Sequence, residues 1–307
     1  MNHGMVKPKR QSSPLNPGDI IGIVSPSDPL CYCDDLRRGI EYLERLGFRT
    51  EVGRYIGSPV PGERAEDIND FFGRGDIRAI FSTQGGNSAE EVLPHCDMDV
   101  IRANPKIFMG LSDVTVFLNA IHHRTGLVTY HGNNVRLGVN AELDAYDRHE
   151  LIDRLCLGKA GDVRPRRGRT AIRAGVGRGR LLGGNLRCLL KLTGTEFWPD
   201  FTDSILFIES YRITPESCLR YFEVLRHMGV FEGVRGVLVG FNYSMQVAHP
   251  EMRQMERLLA EFTDGYDFPI LKVEDFGHFC PNTVLPVGSV VEVDANAGRI
   301  TIIPDSV

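Results

Sequence analysis

PKIFMGLSDVTVFLNAIHHRTG, residues 105–126, carries the change of period that decides the fold. A short apolar strand runs through Gly110 and passes directly into a helix that starts near Asp113. Ser112 lies on the turn between them. Upstream, IIGIV at 20–24 and IRAIFST at 77–83 read as further strands, and LVTYHG at 127–132 follows as another. Between the first two, Leu36, Ile40, Leu43 and Leu46 recur at helical spacing and the run stops at Gly47. Short β-branched runs alternating with longer amphipathic stretches predict a doubly wound, mostly parallel α/β domain over 1–163.

The composition then changes. RPRRGRTAIRAGVGRGR, 164–180, carries seven arginines and four glycines with no apolar periodicity, and reads as a linker. A solvated connector is the plain reading of this run. Its arginines also suit an anionic substrate, whereas the lack of interleaved aromatics argues against nucleic acid. From 181 to 307 the pattern predicts a mixed β/α domain: a helix at 185–194, strands at 204–209 and 236–241, a helix from Pro215 to Met228, and a hairpin in VGSVVEVDANAGRITIIP, 287–304. A further helix is expected at 144–160, before the arginines.

A length of 307 residues fits two domains at roughly 150 residues each. With 42% hydrophobic and 24% charged residues, disorder, collagen-like structure and coiled coil are all disfavoured. Lys+Arg 35 against Asp+Glu 40 gives 35 − 40 = −5, which supplies no global attraction to nucleic acid. Seven scattered cysteines are not the arithmetic of a disulfide scaffold. No apolar stretch follows the basic start as a secretory signal requires, and none approaches the roughly 20 residues of a membrane helix. The expected location is the cytoplasm.

Ser112 has two readings. It is either the N-cap of the helix or a nucleophile raised on a sharp strand-to-helix turn, where free N–H groups can stabilise an oxyanion. The Gly-x-Ser-x-Gly form is absent, since the residues are Gly110-Leu111-Ser112-Asp113-Val114. Gln84-Gly85-Gly86-Asn87-Ser88 ends another strand. In a doubly wound sheet the two turns should face one another, so that N–H groups of Gly86 and Asp113 would form an oxyanion hole; the alternative is a plain tight turn. Glu209 ends the strand SILFIE, and His278 sits in a Gly- and Pro-rich loop. Ser, Glu and His in that order can form a proton relay. No Cys-x-x-Cys or His-Glu-x-x-His spacing points to a metal, and no cofactor is implied. His131 and Trp198 suit packing better than ligand binding.

These landmarks together resemble the LD-carboxypeptidase family of serine peptidases (S66), which includes murein tetrapeptide carboxypeptidases and microcin C immunity peptidases. The resemblance spans 18–288 and is carried by Gly85-Gly86, NPKIFMGLSDVT (104–115), TGLVTYHG (125–132), GRGRLLGGNL (177–186), ILFIES (205–210) and DFGHFCPNTVLPVG (275–288). It implies Ser112 as nucleophile, His278 as general base and Glu209 as the acid orienting it, with Gly86 and Asp113 as oxyanion hole. It further implies a homodimer, no metal, and a peptide substrate of the muropeptide type that loses a terminal D-alanine. An aminoacyl-nucleotide amide is the alternative substrate, and a non-catalytic muropeptide-binding module the alternative role. The chain departs from the family at Asn133-Asn134, where proline usually follows His-Gly, and at Ser210-Tyr211 after the acid. Either departure bears on the substrate pocket.

Overall fold

The computed structural model describes residues 9–31, 33–136 and 145–304. The first eight residues of the basic start, and the first residue of the helix expected at 144–160, lie outside them. Among the described residues, fourteen strands form two sheets. Strands β1 (Ile20–Val24), β2 (Arg49–Val52), β3 (Ile77–Ser82), β4 (Ile107–Gly110) and β5 (Thr129–His131) build the first. The second is built from β6 (Gly161–Asp162), β7 (Thr170–Arg173), β8 (Val176–Asn185), β9 (Ser204–Ser210), β10 (Val234–Asn242) and β11 (Ile270–Gly277). Of the last three, β12 (Leu285–Val287) returns to the first sheet, whereas β13 (Val290–Asp294) and β14 (Arg299–Ile302) form the expected hairpin in the second.

The first sheet has the order β12-β5-β4-β3-β1-β2, with β1 to β5 parallel and β12 antiparallel. The strand order reverses between β1 and β3, so a crevice opens at the carboxyl ends there. The second sheet has the order β6-β14-β13-β8-β9-β10-β11-β7; its four central strands β8 to β11 are parallel and the flanking ones antiparallel. Strand β9 is buried at all seven positions, as expected of a strand covered on both faces. The chain is therefore mixed α/β with one mainly parallel sheet.

The 164–180 run is not a free connector. It supplies β7 and the first half of β8, and its texture has a physical origin. Along β8, Gly177 and Gly179 are buried while Arg178 is exposed, the alternation of a half-covered strand. A Cβ at Gly177 would lie 1.8 Å from the Arg235 carbonyl oxygen, so only glycine fits the covered face. Two arginines of the run are tied down by hydrogen bonds. Arg169 donates Nε–H to Asp275 Oδ2 at 2.7 Å, and Arg173 donates to the carbonyls of Ala260 and Thr263.

Sequence reasoning also passed over β2 and the helix Pro61–Gly73, the former because an edge strand reading Arg-Thr-Glu-Val shows little apolar pattern. One continuous core holds side chains of both sheets, among them Ile80, Phe108 and Phe117 from the first half with Leu182, Phe207 and Leu238 from the second. Among the described residues, no helix is long and apolar enough to cross a membrane.

Candidate active site

Ser112 follows β4 on a turn whose backbone is left-handed at that residue, with φ 69°. Such a φ is strained for a residue with a Cβ and is typical of a serine lifted clear of a sheet. Residues Ser112–Val114 form a 3-10 turn that leads into the helix Thr115–Thr125. Ser112 is not an N-cap: that position is Leu111 for the 3-10 turn and Val114 for the helix. The turn after β3 faces it. A Cβ built on Gly85 would lie 2.6 Å from Ser112 Cβ and 3.3 Å from Asp113 N, so this backbone approach requires glycine.

Asp113 contributes more than an N–H. Its carboxylate is fully buried and accepts Ser27 Oγ–H at 2.6 Å, Ala89 N–H at 2.9 Å and Lys191 Nζ at 2.6 Å. Burial would raise this carboxyl, but Lys191 and Ser27 outweigh it and hold the group below its ordinary value. Asn134 braces the other side, its Oδ1 accepting Leu111 N–H at 2.9 Å and Ser82 Oγ–H at 2.6 Å.

The serine-bearing helix is docked on the second sheet by a reciprocal amide pair. Asn119 Nδ2 donates to Gly183 O at 2.8 Å and Gly183 N donates to Asn119 Oδ1 at 3.0 Å, while Asn185 N donates to Thr115 Oγ1 at 2.9 Å. Asn185 ends β8 and is the register partner of Glu209 on β9. Its Nδ2 donates to Glu209 Oε1 at 2.9 Å. Both residues sit at carboxyl ends of parallel strands, as Ser112 does.

His278 follows β11 and places Nδ1 2.7 Å from Glu209 Oε2. Glu209 is fully buried, and burial alone would raise its carboxyl; His278 and Asn185 hold it below the usual range. Burial works against a charged imidazole too, but the Glu209 carboxylate prevails and His278 lies above its ordinary value. With Glu209 ionised, Nδ1 is the donor, and Nε2 is left to exchange a proton. No hydrogen bond joins Ser112 Oγ to this imidazole among the described residues. Gly86 also has to be glycine, since its φ is 149° and a built Cβ would lie 2.3 Å from the Asp28 carboxyl carbon.

Several neighbours escaped sequence reasoning. Tyr211 stacks on the His278 ring, centroids 5.3 Å apart and planes at 12°. Asn133 and Asn282 are hydrogen-bonded at 2.9 Å, and Asn282 Oδ1 accepts Gly277 N–H at 2.8 Å next to His278. The two departures at 133–134 and 210–211 were the signal for both. At the glycine turn, a cation comes from Arg187, whose guanidinium donates to Asn87 Oδ1. His131 and Trp198 pack as expected: His131 lies edge-on to Phe207 and Phe276, and Trp198 against Phe201. Burial drives the His131 imidazole down to about 4, so it is neutral. Among the described residues, no group of three or more His, Cys, Asp or Glu side chains is arranged to hold a metal ion.

Comparison with known proteins fixes the family. The LD-carboxypeptidase N-terminal domain model matches residues 21–132, and the C-terminal domain model matches 178–293. The chain belongs to the LD-carboxypeptidase family. This LD-carboxypeptidase family member is 31% identical over 327 residues to the microcin C7 self-immunity protein MccF of Escherichia coli, covering 95% of each. It is 28% identical over 286 residues to the probable murein peptide carboxypeptidase of Bacillus subtilis, covering 90% of this chain and 88% of that one. The solved structure of MccF in complex with glutamyl sulfamoyl guanosine matches with a TM-score of 0.87 at 29% identity, over 96% of this chain and 98% of that one. Both LD-carboxypeptidase domains are thus present in the chain, with Ser112 in the first and Glu209 and His278 in the second.

Proposed function

We propose that the protein is a serine-type LD-carboxypeptidase in which Ser112 is the nucleophile, His278 the base and Glu209 the residue that orients it. The observation that carries this reading is the 2.7 Å contact between His278 and a fully buried Glu209, taken with a serine held at φ 69° on the turn after β4. Ser112 Oγ attacks the scissile carbonyl as His278 Nε2 takes its proton. The oxyanion is met by N–H groups of Asp113 and Gly86. As the C–N bond breaks, the imidazolium returns its proton to the leaving amine, and water then hydrolyses the acyl-serine by the same base.

The substrate in this reading is a muropeptide ending in an L-to-D amide, and the product amine is D-alanine, as in cytoplasmic recycling of murein tetrapeptide by a homodimer. A second reading, cleavage of an aminoacyl-nucleotide amide, is supported by the likeness to MccF and its sulfamoyl ligand. Incubation with murein tetrapeptide and, separately, with glutamyl sulfamoyl guanosine, followed by mass spectrometry, divides the two. Tripeptide plus D-alanine supports the first; glutamate release alone supports the second. If the folded protein binds muropeptide but neither it nor Ser112→Ala turns anything over, the chain is a binding module instead.

A further inference from the structure

An acid holds the glycine turn. The Asp28 carboxylate that crowds Gly86 accepts Asn87 N–H at 2.9 Å and Ser88 Oγ–H at 3.0 Å, both on Oδ1. These bonds fix the backbone whose Gly86 N–H the proposed mechanism gives to the oxyanion, yet their charge has the wrong sign for that task. A carboxylate beside a forming oxyanion repels it, and the repulsion grows where water is excluded. The opposite charge lies behind the turn. Arg64, in the helix Pro61–Gly73, is only 1% exposed, a rarity for arginine unless it is paired. Among the described residues it has no ion-pair partner, and its Nε has no hydrogen-bond partner either. Its Nη1 donates to Ser58 O at 2.6 Å and its Nη2 to Ser88 Oγ at 3.3 Å.

The ends of this chain of bonds set its direction. A guanidinium can only donate and a carboxylate accepts, so Ser88 takes a proton bond from Arg64 and passes its own to Asp28. Burial works against the Arg64 cation, and Asp28, ahead of Glu91, is the charge that supports it. We infer that Arg64 is a positioning residue for the hydrolysis: through Ser88 it fixes Asp28 and balances its charge, so that the acid holds the glycine turn without opposing the oxyanion. This rests on the hydrolase reading above and adds to it a residue that touches no reacting atom. The substrate carbonyl carries little charge and the tetrahedral intermediate a full one, so the balance acts on kcat and leaves KM in place.

The test measures full-length protein on murein tetrapeptide and on glutamyl sulfamoyl guanosine. On the substrate that is cleaved, Arg64→Met should lower kcat about 10²-fold and leave KM within about twofold of the wild type. Adding Asp28→Asn removes the charge but keeps the acceptor for Asn87 and Ser88, and should return kcat to within about fivefold of the wild type. A loss of packing alone would not be mended by a change at Asp28. Unchanged kcat in Arg64→Met, or a loss that Asp28→Asn does not relieve, overturns the inference and leaves the hydrolase reading standing. Should Arg64→Met not fold, Ser88→Ala breaks the same link by deleting one hydroxyl at a half-buried position. Its kcat should fall about tenfold and recover with Asp28→Asn, and no fall or no recovery overturns the inference. If the wild type cleaves neither substrate, hydrolysis fails as a reading, and calorimetry with the phosphonate analogue of the tetrapeptide, an anionic mimic of the intermediate, decides. Binding about 10²-fold weaker in Arg64→Met and recovered with Asp28→Asn supports the charge balance. Equal affinity, no recovery, or no binding by the wild type overturns it.

Discussion

Lys191 Nζ, from the second half of the chain, lies 2.6 Å from Asp113 Oδ1, the residue directly after the serine. The carboxylate is fully buried and the lysine side chain 12% exposed, so removing the cation leaves a charge stranded in low dielectric. Lys191→Met is expected to cost about 3–5 kcal/mol at pH 7, read by urea denaturation. The sign with pH follows from Asp113. In the wild type its carboxyl is depressed, so its stabilisation is present above the unfolded value near about 3.9 and is lost as pH falls through the folded value. Without Lys191 burial dominates and the carboxyl rises, so the deficit of the variant should narrow as pH falls toward about 4. A deficit independent of pH would show that the ion pair is not its source.

In the proposed triad Glu209 sets the titration of His278. Because His278 lies above the ordinary imidazole value of about 6.5, kcat/KM should fall as pH drops through a point higher than that. Glu209→Gln removes the charge that raises it while burial remains, so the acid limb should move to lower pH. The maximal rate should drop on the order of 10³- to 10⁴-fold, since the imidazole loses the partner that fixes its tautomer. An acid limb that stays in place in the variant would mean that another group governs it.

The parts of this site that were legible in sequence are those whose chemistry is local. A strand passing into a helix through Gly110-Leu111-Ser112 announces an exposed turn, and SILFIE ending in Glu209 announces an acid at the rim of a sheet. What could not be read is what depends on long-range register. The Asn119–Gly183 amide pair joins residues 64 apart in sequence, and the return of β12 to pair with β5 has no signature in either segment alone. Gly177 and Gly179 misled for a different reason: they occupy the buried face of β8 without adding hydropathy, so a strand resembled a linker.

Gly85 is a sharp probe of the facing turns. A methyl group there would sit 2.8 Å from Ser112 Oγ, in the space the proposed mechanism gives to the reacting carbonyl. Gly85→Ala is expected to lower kcat by at least about 10²-fold, the loss typical of a displacement near 1 Å at a reacting centre. Circular dichroism should remain that of the wild type, because the turn is partly exposed. Near-normal turnover would place the substrate elsewhere than between these turns.

The left-handed backbone at Ser112 makes a prediction about stability that separates it from chemistry. At φ 69° a Cβ is costly, about 1–2 kcal/mol for any residue other than glycine. Ser112→Ala keeps that cost and Ser112→Gly removes it, while both delete the hydroxyl. Glycine gives back part of the gain through the greater freedom of its unfolded chain, leaving a net advantage of about 1 kcal/mol, or about 2 °C in Tm for a chain of this size. The expected outcome is therefore two inactive proteins of unequal stability, with Ser112→Gly the more stable in thermal denaturation. Equal melting points would show that the turn relaxes once the hydroxyl is gone, and that the strain belongs to the serine side chain rather than to the backbone that presents it.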